Sequence, residues 1–355
     1  MHDLSSHLNE KQLREKVSNG SEKVDDYLEL ASLLFETHRF EEAIETLRLG
    51  LSIGFGSVSR ATLLIALGWY LNAVSGDRDA PQALGEEAIA LVEGLDACEG
   101  LITKARAKGL VAVCAWVDNP GRAEGIATSA LALFDRALGL NCLKEGADQF
   151  EAFLESARLS CLLSRFEDAA TYCKHALQAA PDEDRELSAL IELGTVYRES
   201  GRLTEARVVL ARAIGLQGVA PFGLIRPYFE LGLTERALGK TAEARSKVRK
   251  AIDLLELTPG FQVTLLAEYL REEGYISYDL DDIEQAARSF QTALGHYPVS
   301  DPFHWSSLLW LARCQADLGQ FETARMNATL VGGSVVASGQ DREDANELLR
   351  DLSDK

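Results

Sequence analysis

Residues 191–214 read IELGTVYRESGRLTEARVVLARAI, with apolar positions three and four apart on either side of Gly201. That spacing predicts two helices joined by a tight turn at the glycine. On the first helix Gly194 follows Leu193, a small residue that lets the second helix come close. On the second helix Ala206 and Ala213 stand seven apart, nearly two turns, so they share one stripe. A single hairpin of this kind cannot bury its own apolar face, and stacking against like neighbours is the way to cover it.

The same frame recurs along the chain. It fits Leu231-Gly232, Gly239, Ala244, Val248, Ala251 and Ile252, then Gly274, Ala286, Phe290, Ala293, Leu294 and Pro298, then Leu311-Ala312, Gly319, Ala324, Ala328 and Val331. Upstream it fits Ala157, Ala169, Cys173, Ala176, Leu177 and Pro181, and before them Val111, Ala123, Ala127, Ala130 and Leu131. The first clear copy holds Tyr27, Leu30-Ala31, Leu34, Ala43, Leu47, Gly50 and Leu51. A looser one runs from Leu67-Gly68 to Ala88-Ile89 with extra residues around GDRDAPQ, which makes eight copies in all.

This pattern resembles the tetratricopeptide repeat (TPR) family over residues 24–338. The resemblance implies an all-α fold: a right-handed α-solenoid of about eight TPR-like helix-turn-helix repeats with terminal capping helices. Residues 1–23 and 339–355 are expected to supply the caps, and no second domain is expected. The marker alanines advance from 123 to 169, 206, 244, 286 and 324, in steps of 46, 37, 38, 42 and 38. The family's period is about 34, so helices or connections must be longer than usual, most of all where FDRALGLNCLKEGADQF intervenes. Long-period arrays of this kind are similar to the sensor solenoids of some bacterial regulators.

Charge narrows the partners. A net charge of −19 repels phosphate backbones and anionic bilayers, which argues against nucleic acid and membrane surfaces. The six cysteines include no CxxC pair. They lie among helical apolar residues, where they are expected to pack as small hydrophobes in a reducing compartment. The first twenty residues lack a signal peptide's apolar core, and LLIALGWYLNAV at 63–74 is too short to span a bilayer. A cytoplasmic monomer is expected.

Several motifs suggest chemistry and then withdraw it. GKT at 239–241 has Thr234 where a phosphate-binding loop needs glycine, and it falls between two helices. GFGS at 54–57 lacks a preceding strand and reads as a turn. The six histidines show no paired ligand spacing, and His296 and His304 alone are too few for a metal. His38 takes a turn position where other copies have glycine. No nucleophile constellation is present, so neither catalysis, a cofactor nor a metal is expected.

The resemblance implies where a partner would lie. First helices of TPR repeats line a groove, and the frame assigns to it Arg158, Arg198, Arg226, Phe229, Arg236, Arg271, Tyr275, Tyr278, Trp310 and Arg313. Arginine and aromatic residues anchor many interfaces. The Lys and Asn that clamp carboxyl termini in chaperone-binding members are absent, since the matching places hold Leu28 and Ser32, Leu154 and Arg158, and Ile191 and Thr195. Against a binding role stands the abundance of nearby glutamates. Glu155 with Arg158 and Glu268 with Arg271 are spaced to pair on one helix, which would make the face a solvated salt lattice. The expected function is a non-catalytic scaffold holding a protein or peptide segment. The alternative is a sensor that binds a small peptide or metabolite.

Overall fold

A computed structural model describes residues 2–37, 39–75, 78–116, 119–143, 146–258 and 263–353. Every regular element among them is helical. The chain divides within one helix into two compact units, residues 1–196 and 197–355.

The first unit opens with α1 (His2–Ser18) and continues through the hairpins α2 (Val24–Glu36) with α3 (Phe40–Leu51), α4 (Ser57–Ser75) with α5 (Asp79–Leu91), α6 (Cys98–Ala115) with α7 (Pro120–Gly139), and α8 (Ala147–Leu162) with α9 (Phe166–Ala179). Helix α10 (Glu183–Glu199) holds the division. The second unit contains α11 (Leu203–Ile214), α12 (Ile225–Ala237) with α13 (Thr241–Glu256), α14 (Val263–Asp279) with α15 (Ile283–Leu294), α16 (Pro302–Asp317) with α17 (Phe321–Gly333), and α18 (Gly339–Asp351). A short 3-10 turn, Pro221–Leu224, precedes α12.

The repeat frame falls on these hairpins as expected. Marker residues of the second helices, among them Ala206, Leu210 and Ala213, Ala244, Val248 and Ala251, and Ala286, Phe290 and Ala293, are fully buried. Turns between paired helices use a left-handed residue at one register position: Ser164 (φ 57°), Gly201 (76°), Gly239 (75°), Asp281 (61°) and Gly319 (74°). Glycine adopts that conformation without steric cost, and Asp with little. GKT is thus the α12–α13 turn, and GFGS joins α3 to α4. The reading of His38 lies outside the described residues.

Small residues on first helices allow close approach. A Cβ added at Gly232 would lie 2.6 Å from Val248 Cγ2 and 3.2 Å from the Ala244 carbonyl oxygen and the Val248 nitrogen. Two of those three atoms are backbone, so side-chain rotation cannot relieve the clash. We expect Gly232→Ala to cost about 1–3 kcal/mol by overpacking, despite its better helix propensity, with chemical denaturation as the check.

The long step between Ala123 and Ala169 resolves into helix plus loop. FDRALG belongs to a lengthened α7, ADQF begins α8, and the connection spans 140–146. The extra residues assigned to GDRDAPQ are likewise partly helical, because DAPQ forms the first turn of α5. Proline is tolerated there, where no intrahelical N–H bond is lost.

One expectation fails at the cysteines. Cys98, at the start of α6, is joined to Cys142 in the 140–146 connection by a disulfide, with a Cα separation of 5.1 Å. These two sit at hairpin ends, where neighbours are loops, and not in packed helical cores. Cys114, Cys173 and Cys314 are buried thiols as expected, and Cys161 is half-buried. The apolar run at 63–74 is part of α4, with Leu63 and Leu64 buried. Among the described residues no helix is long and apolar enough to cross a membrane.

Candidate functional site

The first helices carry a repeated pairing scheme. Two residues before the small residue of four consecutive first helices, α8, α10, α12 and α14, stands an acid: Glu155, Glu192, Glu230 and Glu272. Each is met by an arginine from the preceding first helix. Arg106 Nε lies 3.1 Å from Glu155 Oε1, Arg158 Nε 2.9 Å from Glu192 Oε1, and Arg198 Nε 3.0 Å from Glu230 Oε2. Arg236 reaches both Glu272 (3.5 Å) and Asp279 (2.8 Å) on α14. Glu192 and Glu230 are buried. Burial pushes the Glu155 carboxyl up from its ordinary range, with the Arg106 charge opposing.

Arg158, Arg198 and Arg236 are therefore struts between repeats. The helix-internal pair proposed for Glu155 and Arg158 does not form, because each is taken by an adjacent repeat. Glu268 and Arg271 are not paired either; Arg271 Nη2 turns to Glu272 Oε1 at 3.5 Å. Arg226 is exposed on α12.

Phe229 is corrected outright. It is 5 % exposed and stacks on Tyr269 with ring centres 3.7 Å apart, so it is core. The frame shows why: Leu154, Ile191 and Leu309 occupy the same register position and are buried too. Phe229 belongs to that apolar row, beside the groove row and not in it.

The scheme changes character at α14 and α16. Where an arginine and a glutamate would meet, Tyr278 meets Trp310, with ring centres 5.3 Å apart and an interplanar angle of 82°. Tyr275 adds a second edge contact to Trp310 at 5.1 Å. All three rings are half-buried, packed against Phe290, Leu311 and Cys314. Two cations flank them: the Arg236 guanidinium lies 5.5 Å from the Tyr275 ring centre, and that of Arg313 4.7 Å from Trp310. Arg313 is held in turn by Asp344 of α18 at 2.6 Å. The Tyr278 hydroxyl donates to Asp317 Oδ2 at 2.7 Å. Burial and that acceptor push its pKa up to about 12, so it stays a donor at neutral pH.

Other features carry less chemistry. His304 Nδ1 faces the Tyr297 carbonyl at 3.2 Å, and no metal-binding group of three or more ligands occurs among the described residues. An open recess of about 780 Å³ is lined by α1 and α3 with Leu30 of α2, and its Arg14 and Glu42 are paired with each other.

Residues 271–330 match the tetratricopeptide repeat family model. A search of curated proteins returned no match. Among solved structures, the chain is similar to the APC/C hetero-tetramer Cut9–Hcn1, with a TM-score of 0.63 at 15 % identity. That match covers 97 % of this chain and 58 % of the other, so this chain spans little more than half its length. It is also similar to a Rap protein complexed with Competence and Sporulation Factor, with a TM-score of 0.59, 11 % identity, and coverage of 94 % and 98 %. At such identities the likeness concerns fold alone. The chain is a long-period, TPR-like α-solenoid whose sequence signature is carried most clearly by residues 271–330.

Proposed function

We propose that the chain is a non-catalytic interaction scaffold that holds a protein segment against the first-helix face of α12, α14 and α16. The observation that carries this reading is the half-buried aromatic triad Tyr275, Tyr278 and Trp310. It follows four successive ionic struts between α6 and α14, takes the place of the next one, and is flanked by Arg236 and Arg313. Aromatic and arginine side chains that keep partial exposure are suited to anchoring a partner. Both structures of similar fold are complexes, Cut9 with Hcn1 and Rap with its factor. The same reading takes residues 24–338 as the repeat array and 1–23 and 339–355 as its caps.

Affinity capture from lysate tests it, with wild type beside Tyr278→Ala, whose fold is checked by circular dichroism. Reversing Arg198 or Arg236 would be a poor probe, because both hold repeats together. A protein retained by wild type and lost from the folded variant is the expected result. Retention by both moves the site off this face. Capture of nothing, with thermal stabilisation by a low-molecular-weight fraction, would replace the scaffold with a small-ligand sensor.

A further inference from the structure

Arg271 stands where the repeat frame calls for a core side chain. Three residues before the small residue of a first helix, the other copies from α8 to α16 have Leu154, Ile191, Phe229 and Leu309, all buried. Arg271 is buried as well, at 8 % exposure, yet its Nε and Nη1 have no hydrogen-bond partner among the described residues. The neighbouring Tyr297 hydroxyl is likewise buried and unpartnered. What covers the guanidinium is Phe303, whose ring centre lies 4.1 Å from Cζ and which is itself 51 % exposed.

Packing does not require an arginine here, since apolar side chains fill this register elsewhere. Burying guanidinium N–H groups without acceptors is costly, and stacking on a ring offsets only part of that. We infer that Arg271 is the anchor for an acidic side chain of a partner polypeptide, which displaces the Phe303 ring and accepts from the N–H groups that the fold leaves unused. The inference deepens the scaffold reading and rests on it. A carboxylate suits the site better than a phosphate dianion, because Glu268 and Glu272 lie alongside and repel added charge. Rotation of the exposed Phe303 side chain at the first turn of α16 opens the way, and the Tyr297 hydroxyl is placed near Arg271 to donate as well.

The test uses the isotope-labelled full chain, with the Arg271 Nε–H resonance as the readout. The probe is an acetylated, amidated hexapeptide of alternating glutamate and leucine; its twin carries glutamine in place of glutamate. The acidic peptide should shift that resonance and bind at least about tenfold more tightly than its twin, as expected for one charged hydrogen bond. Arg271→Leu, checked for folding by circular dichroism, should bind both peptides alike. Arg271→Lys should keep part of the preference, and Phe303→Ala should tighten acidic binding. A glutamine peptide with a free carboxyl terminus should bind no better than the amidated one. Equal binding of the two probes to wild type would overturn the inference and leave the scaffold reading standing. So would an undiminished preference in folded Arg271→Leu, or failure of the acidic peptide to bind wild type. In each case lysate capture decides the scaffold reading separately.

Discussion

Arg249→Ala should destabilise the second unit by about 3 kcal/mol, the lower end of what leaving a buried charge unpaired costs. The carboxylate it leaves behind belongs to Glu273 on α14, whose side chain is 0 % exposed and ion-paired with Arg249 of α13. The remaining partner would be Ser289 of α15, whose hydroxyl donates to Glu273 Oε2 at 2.8 Å. Arg249 is itself 42 % exposed, so water can replace part of what is lost, which is why the lower end applies. The compensating change is written in the other repeats. Glu273 takes the place that Leu193, Leu231 and Leu311 take in theirs. Glu273→Leu combined with Arg249→Ala should therefore recover most of the loss, because an apolar residue of fitting shape often equals or exceeds a buried ion pair. Urea unfolding with hydrogen exchange across α13 to α15 checks both. A single variant at wild-type stability would mean that the carboxylate is rehydrated.

Loss of the Cys98–Cys142 bond is the second large effect. The bond closes a separation of 44 residues. On the chain-entropy account such a loop contributes about 4 kcal/mol, an upper value because residual structure in the unfolded chain reduces it. Cys98→Ser, or reduction by dithiothreitol, should lower the unfolding midpoint of the first unit and leave the second unaffected. The variant should show no further response to the reductant. Exchange should rise most in α6, α7 and the 140–146 connection. An unchanged midpoint would mean that the thiols are free in solution, and alkylation followed by mass spectrometry would show it directly.

The fold was legible because its signal is redundant. Gly232, Ala244, Val248 and Ala251 say the same thing as Gly274, Ala286, Phe290 and Ala293, and each buried stripe confirms the next. The site was only half legible. Spacing places the arginines on first helices, but which glutamate each meets depends on the offset between neighbouring helices, and spacing within one helix does not contain it. Arg158 accordingly pairs forward with Glu192 and not back with Glu155. Phe229 lies one row off the groove, in the buried column that Leu154, Ile191 and Leu309 share. The same alignment makes Arg271 and Glu273 conspicuous as charged residues in apolar columns. The disulfide could not be read, since two cysteines far apart in sequence meet only once α6 and α7 have folded back on each other.

The strut scheme also bears on how such an array can change length. Two successive first helices, α10 and α12, offer a cation forward to an acid at a fixed place, Arg198 to Glu230 and Arg236 to Glu272. Excising the α12–α13 hairpin in frame would bring Arg198 to Glu272, and the join would still read as a matched pair. Excising α14–α15 would bring Arg236 to Trp310, and the connectors would no longer match. Ionic joints of this kind make repeats interchangeable parts, whereas the aromatic joint fixes one hairpin to one address in the chain.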